Sequence, residues 1–336
     1  MKAFLFRSYK GPVELVEVPL PTVGTHDVLI KVAAAGVNQL DEMLRQGTFK
    51  ANLPYKLPVI LGDDVAGEVV EVGSSVTLFR KGDVVFGKPD VKRLGTFAEY
   101  AAVDENELAH KPATMTLAEA GSFPLVGLTA WQALVVRGAV TSGQKVLIHG
   151  GAGGVGSIAI QLAKHLGATV ATTASAANAE FVTKLGADVV IDYKSQDFAE
   201  LISGYDLVLD TQGGETLMKS LKVLRPGGKV VGIAGPPDEG FARASNLNPI
   251  LRTIFKLLSS KVNKKARALG VSYEFLFVEA SGTQLTELSS LIAAKKIRPI
   301  VSREFSFAQT PEALSALAQG KMSRGKAVII MDSVAS

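Results

Sequence analysis

The chain has 336 residues, 47% hydrophobic and 20% charged, with a formal net charge of +4. That balance excludes disordered and collagen-like classes, the length exceeds one ordinary core, and the mild positive charge suits an anionic cofactor without implying nucleic acid. There is no cysteine, which excludes disulfides and thiolate metal sites. No uncharged apolar run has membrane-spanning length and MKAFLFRSYK lacks a secretory apolar stretch, so no integral membrane segment is expected and a soluble cytoplasmic protein is the default.

Residues 1 to about 122 read as short strands between turns, among them 28–32, 65–72, 84–86 and 97–103. Glycine and proline punctuate them, which suits an irregular β-rich domain. Thr116-Leu-Ala-Glu119 has the spacing of a capping box opening a helix.

From residue 123 the rhythm changes to alternating strands and helices. Strands are expected at 145–149, 168–173, 188–192, 206–210 and 228–234, with a sixth at 273–278. Helices fit 155–166, 178–185, 196–202 and 214–223. Such alternation means a doubly wound parallel six-stranded sheet covered on both faces. After Gly282 come a helix through Lys295, the segment 298–301, a helix from Pro311 and a last strand at 327–331. This tail is expected to return to the first domain. The domains are therefore 1–122 with 280–336, and 123–279.

The stretch VLIHGGAGGVGSIAIQLAKHLG (146–167) is the most informative. An apolar strand meets a glycine turn and then a helix, and Gly151, Gly153 and Gly156 fit the G-x-G-x-x-G spacing. The first glycine permits a tight turn, the second lets backbone approach a pyrophosphate, and the third lets helix pack on strand. Phosphates then sit at the helix N-terminus, near Gly154 and Val155. An NAD site usually adds an acid about 20 residues on, gripping the ribose 2′-hydroxyl. Here the next strand is followed by Ser175, Ala176, Ala177 and Asn178, with no acid before Glu180. Ser175 can donate to a 2′-phosphate that a carboxylate would repel, so the expected cofactor is NADPH. Lys194, Lys321 and Lys326 are the candidate cations for that phosphate.

Several segments in order carry a family resemblance: VLIKVAAAGVNQLDEMLRQG (28–47), LPVILGDDVAGEVVEVG (57–73), GDVVFG (82–87), GTFAEYAAV (95–103), LVGLTAWQAL (125–134), the glycine loop, LGADVVIDY (185–193) and RGKAVI (324–329). Over nearly its whole length the chain resembles the zinc-independent medium-chain dehydrogenase/reductases of the quinone oxidoreductase-like group, most of all the enone and alkenal reductases. The resemblance implies an α/β protein: a GroES-like β-rich catalytic domain plus a Rossmann domain. It also implies reduction of a quinone, enone or enal by NADPH, usually as a homodimer. In zinc alcohol dehydrogenases of this superfamily a cysteine, a histidine and a further cysteine or acid hold the metal. Here Asn38 takes the first position, and Asp63 and Asp64 stand where a histidine-glutamate pair would be. His26, His110, His149 and His165 have no ligand-like spacing, so no metal is expected. His149 ends a strand at the glycine turn, and contact with the cofactor region and plain packing both remain open.

Without a Lewis acid a conjugated acceptor is the easier substrate, because charge spreads into an enolate or hydroquinone anion that hydrogen-bond donors can stabilise. The resemblance places Asn38 near the nicotinamide ribose and the substrate, against the plainer reading of a turn or cap asparagine. Asp41 and Arg45 lie four apart on one helical face, either as catalytic groups or as a surface salt bridge. Thr129 resembles the family threonine beside the nicotinamide, Tyr193 the tyrosine at the adenosine end. Thr211 and Gly213, with Ala234 and Gly235, should line the switch-point crevice. Phe275, Leu276 and Phe277 are expected to flank the nicotinamide, and Lys321, Gly325 and Lys326 to contact the cofactor. Trp131 is read as core. The related enoyl-thioester reductases have a tyrosine where this chain has Phe49, which removes a phenolic donor; Tyr55 is nearby but shifted.

Residues 241–273 contain no acid but carry Arg243, Arg252, Lys256, Lys261, Lys264, Lys265 and Arg267. One reading is an amphipathic helix with a solvated charged face; the other is a surface for anionic lipid or RNA, with little aromatic interleaving to favour RNA. The rival to an enzyme is an NADPH-binding sensor, structural protein or membrane-surface adaptor with little turnover.

Overall fold

The computed structural model describes residues 1–50, 53–322 and 324–331. The end of the expected segment 280–336, from 332 on, lies outside the described residues. The chain divides into two units, Met1–Leu128 with Glu279–Ser336, and Thr129–Val278.

The first unit is built on a seven-stranded sheet. Its spine is Asp27–Val37, buried at all but one position, which pairs antiparallel with Val65–Val72, Tyr100–Asp104 and Lys326–Ile330. The segment expected at 97–103 forms its ladder only from Tyr100, because Phe97 and Ala98 are taken up by backbone contacts with the amino-terminal strand Lys2–Phe6. That strand belongs to a separate three-stranded sheet with Glu14–Glu17 and Val59–Ile60. The tail strand runs Val301–Ser306, later than 298–301, since Pro299 has no N–H for a ladder. Small residues let a helix lie close on the spine. A Cβ on Gly36 would come within 2.6 Å of Asp64 Oδ2, and one on Gly121 within 2.8 Å of the Ala34 backbone. The helix Leu117–Ser122 starts at Thr116, whose hydroxyl and the Glu119 carboxylate complete the expected capping box.

The second unit holds a six-stranded sheet whose pairs are all parallel. In spatial order the strands are Val189–Asp192, Thr169–Ala174, Lys145–Ile148, Tyr205–Asp210, Leu224–Gly232 and Ser272–Phe275. The inner strands are buried along nearly their whole length, as a parallel sheet covered on both faces requires. Chain progression reverses between Lys145–Ile148 and Tyr205–Asp210, which makes their carboxyl ends the switch point.

Candidate active site

In the first unit, Asn38 is the last residue before the helix Gln39–Arg45 and is buried. Its Nδ2 donates to Asp64 Oδ2 at 2.9 Å, while its Oδ1 accepts from the Lys326 ammonium. Lys326 Nζ also donates to the Val37 carbonyl at 2.8 Å and lies 3.4 Å from Asp64 Oδ2. Asp64 Oδ1 accepts the Leu125 N–H at 2.6 Å. The amide of Asn38 is thus oriented by chemistry, oxygen to ammonium and nitrogen to carboxylate. Asp41 Oδ2 accepts the Asn38 N–H at 2.8 Å, and its Oδ1 has no partner.

Two further charges sit in the same buried region. Lys88 Nζ lies 3.2 Å from Asp63 Oδ1 and donates to the Pro89 carbonyl at 3.1 Å. Burial pushes the Asp63 carboxyl up to about 7 against the pull of Lys88. Burial, with the charge of Asp63 added, raises Asp41 well above the usual carboxylate range. Lys88 beside Asp63 and Lys326 beside Asp64 give each buried ammonium a carboxyl partner.

This arrangement corrects the expected Asp41–Arg45 pair. Arg45 bonds Glu42 through Nε and Nη2 at 2.8 and 2.6 Å and donates to the Gly11 carbonyl. Asp41 is instead turned under the helix start, where it accepts the Asn38 N–H. Lys326 is held by Asn38 and Asp64 within its own unit, whereas Lys321 is exposed. Gly325 has a positive φ of 54°, and a Cβ there would meet the Ile300 carbonyl at 2.2 Å, which gives the glycine a packing role. Tyr55 donates its phenol to the Val91 carbonyl at 2.6 Å, and burial raises its pKa. Lys88 gave no signal in the sequence; its partner in the GDD motif is 25 positions earlier and only the fold joins them.

In the second unit the glycine loop follows the strand Lys145–Ile148. The left-handed turn falls on Gly150, φ 66°, one residue before the expected first glycine. Gly151 serves close packing: a Cβ would lie 2.1 Å from Thr172 Oγ1. On Gly156 it would lie 2.3 Å from the Gly150 carbonyl, so this glycine lets the helix Gly154–His165 sit on the turn. Gly153 differs. It is exposed, and a Cβ there meets one atom, the Gly150 carbonyl oxygen at 3.3 Å. Gly153, Gly154 and Val155 thus present the open face of a helix N-terminus with no acid in its first turn.

His149 is buried, with Nδ1 3.1 Å from Thr173 Oγ1 and Nε2 2.9 Å from Ser220 Oγ. Phe198 packs edge-on to its ring at 4.6 Å, and burial lowers its pKa to about 4. The Ser220 hydroxyl donates to the Thr216 carbonyl, which leaves its oxygen to accept from a neutral His149 with the proton on Nε2. His149 therefore braces the loop from beneath. His26, His110 and His165 are exposed.

The switch-point residues meet as the crevice rule expects. Thr211 Oγ1 donates to the His149 carbonyl at 2.9 Å. Asp210 Oδ1 accepts the N–H groups of Gln212 and Gly213 at 2.7 and 2.8 Å. Gly213 has φ 68°, and a Cβ there would strike the Ala234 carbonyl at 2.4 Å, so Gly213, Ala234 and Gly235 are neighbours. Ser175 ends the strand Thr169–Ala174 half-buried, with no side-chain cap bond. The next acid, Glu180, is paired with Lys184 at 2.6 Å. Tyr193 is exposed just past Val189–Asp192. Thr129 is buried in the helix Pro124–Trp131, and Trp131 is half-buried. Phe275 and Leu276 are buried; Phe277 is half-buried and packs with Phe241. Among the described residues no group of three or more His, Cys, Asp or Glu side chains forms a metal set.

Comparison with known proteins agrees with this fold. A model of the alcohol dehydrogenase GroES-like domain matches residues 24–113, and one of the zinc-binding dehydrogenases matches residues 185–329. Fold and site therefore define an oxidoreductase of the alcohol dehydrogenase type. The NADPH-dependent alkenal/one oxidoreductase, chloroplastic, of Arabidopsis thaliana is 42% identical over 75% of this chain and 70% of its own. The quinone oxidoreductase from Coxiella burnetii superposes with a TM-score of 0.86 at 34% identity, over 98% of this chain and 99% of that one. The Escherichia coli quinone oxidoreductase, solved with NADPH, gives 0.80 at 26% identity, over 98% and 100%. The chain belongs to the medium-chain dehydrogenase/reductase family, in its quinone oxidoreductase-like group.

Proposed function

We propose that the protein is an NADPH-dependent reductase of quinones and of the activated C=C bond of α,β-unsaturated carbonyls, and that it works without zinc. The observation that carries the reading is the open glycine loop at the switch point, with no free carboxylate on its ribose side. Gly151, Gly153, Gly154 and Val155 would hold the pyrophosphate, and Ser175 with Lys194 the 2′-phosphate. Tyr193 would border the adenosine. Thr211, Gly213, Ala234, Gly235 and the 275–277 segment would line the path toward the nicotinamide, with Thr129 beside the reacting end; for Asn38, in the first unit, the family resemblance implies a role toward the substrate. NADPH supplies the hydride. The substrate names of the alkenal/one and quinone relatives support the acceptor class.

Zinc independence rests on the donor set. There is no cysteine, and Asn38 and Asp64 already share the ammonium of Lys326. A divalent ion would have to displace a cation the chain itself provides. With no open metal position in that set, a conjugated acceptor is the easier substrate, because its developing charge spreads into an enolate or hydroquinone anion. The proposal includes a homodimer, which the family resemblance implies, and a cytoplasmic address, the default reading of the sequence; sedimentation and cell fractionation measure them. Among the described residues no helix is long and apolar enough to cross a membrane.

The test is to follow the absorbance of NADPH with a panel of quinones, enals, enones and saturated ketones, on protein assayed for zinc by elemental analysis. Consumption with the first three and not the last is expected, from zinc-free protein. A flat trace across the panel, or stoichiometric zinc, overturns the reading.

A further inference from the structure

The acid-free stretch after residue 241 folds into two consecutive helices in the second unit, Pro249–Leu258 and Ser260–Ala268. The first is well made: the Asn248 side chain accepts the Leu251 N–H at 2.9 Å, and proline occupies the first turn. Its inward side holds Leu251 and Phe255, half-buried, with the Phe255 ring 6.0 Å from Phe241. That buried line continues through Ser259, Val262 and Ala266 at steps of three and four residues. The opposite line faces water. It runs Ile250, Ile254 and Leu257, then Lys261 and Lys264 in the second helix, with the same spacing. Ile250 is 73% exposed, Leu257 67% and neighbouring Leu258 56%. One outward stripe is therefore apolar in its first half and basic in its second.

A soluble surface helix buries its apolar face. This one buries part and leaves a second apolar ridge in water, among cations. Among the described residues Arg252 and Arg267 bond backbone carbonyls, and the acid in contact with the stretch is Glu239, shared by Arg243 and Lys256. Burial lowers the pKa of Lys265, and the positive charges of Lys222 and Lys261 add to the shift.

We propose that the stripe from Ile250 to Lys264 is a membrane-docking surface, which lays its apolar ridge into the acyl boundary of a bilayer and its lysines against anionic headgroups. Charge selects this occupant over two others. A second copy packing on the whole stripe would bring two sets of Lys261 and Lys264 into one interface, with no acid within 249–264 of either copy to offset them. A nucleic acid would want exposed aromatic rings for base stacking, and the stripe has none, since Phe255 turns inward. An anionic bilayer satisfies both halves at once. The inference stands apart from the reductase reading, although its chemistry suits it, because quinones and long-chain enals partition into lipid. Phe241 links the helix by ring contacts to Phe275 and Phe277, at 5.3 and 5.8 Å. Docking would thus bear on a segment assigned to the cofactor side of the site.

Vesicle flotation of the full-length protein tests the proposal. Phosphatidylcholine vesicles, with and without ~30% phosphatidylglycerol, are mixed with wild type at low and at about 1 M salt. Flotation with the anionic vesicles only, lost at high salt, is expected. Neutralising two charges in Lys261→Gln/Lys264→Gln should weaken binding roughly thirtyfold. Ile254→Glu/Leu257→Glu should abolish it while NADPH affinity and melting temperature stay near wild type. The wild-type salt series keeps the proposal falsifiable should a variant fold poorly. Absence of flotation with either vesicle overturns it. So does binding that neither variant weakens, a dimer that becomes monomer in Ile254→Glu/Leu257→Glu, or displacement of bound protein from vesicles by a single-stranded oligonucleotide.

Discussion

Lys326 is a cation buried to 7% exposure, and nothing in its local sequence announces what it holds. RGKAVI marks it as a motif residue, and a phosphate contact is the natural reading of such a lysine. Its partners Asn38 and Asp64 lie 288 and 262 residues away in sequence, so only the pairing of the last strand with Asp27–Val37 assembles the triad. Lys326→Met would leave Asp64 as a buried charge without a counterion, and a loss of about 3–5 kcal/mol in denaturant unfolding is expected. A second change, Asp64→Asn, should return part of it; equal losses in the single and double variants would contradict the ion-pair account. Ser175 makes the opposite case, because its meaning lies in what its neighbours lack. Ser175→Asp restores a carboxylate at the ribose side. Relative affinity should move toward NADH by roughly tenfold or more, read from dissociation constants for both cofactors.

The strand, turn and helix of the glycine loop were legible because each has its own pattern: an apolar run, clustered glycines and a helical apolar period. Which glycine does what was not. Backbone curvature put the left-handed turn on Gly150 and packing on Gly151 and Gly156, and left Gly153 facing outward. Gly153→Ala should therefore cost less stability than Gly156→Ala while NADPH affinity drops roughly tenfold, since its methyl group meets one loop atom, the Gly150 carbonyl oxygen at 3.3 Å, and otherwise points where the pyrophosphate would approach. Gly156→Ala should lower stability itself, because its Cβ collides with the Gly150 carbonyl. Thermal melts with and without cofactor separate the two. His149 under the same loop gives a pH signature. Its folded pKa of about 4 lies below the ordinary 6.5, so the unfolded chain binds the extra proton first. The stability it contributes is fully present above 6.5 and is lost as pH falls toward about 4, at most about 3 kcal/mol. Urea unfolding from pH 7 to 4 should be flatter in His149→Gln over that window. An unchanged slope would assign the acid sensitivity elsewhere.

At the level of the molecule, alternation of strand and helix after residue 123 was enough to give the parallel sheet, since both periodicities are strong there. The first unit was harder. Lys2–Phe6 and Glu14–Glu17 are short, and their register depends on partners that no local pattern names. The carboxyl-terminal strand was placed by its apolar run, and its neighbour Val301–Ser306 was hidden by polar residues at most positions. The discontinuity has a consequence for biosynthesis. Thr129–Val278 is one uninterrupted stretch and can fold as soon as it leaves the ribosome, ahead of a first unit still missing its final strand. Chains arrested near residue 320 should already yield a protease-resistant fragment spanning roughly 129–278, with the amino-terminal part still digestible. Until residue 326 has left the ribosome, Asn38 and Asp64 wait for the lysine that joins them. Termination before that codon would release a polypeptide without its buried counterion.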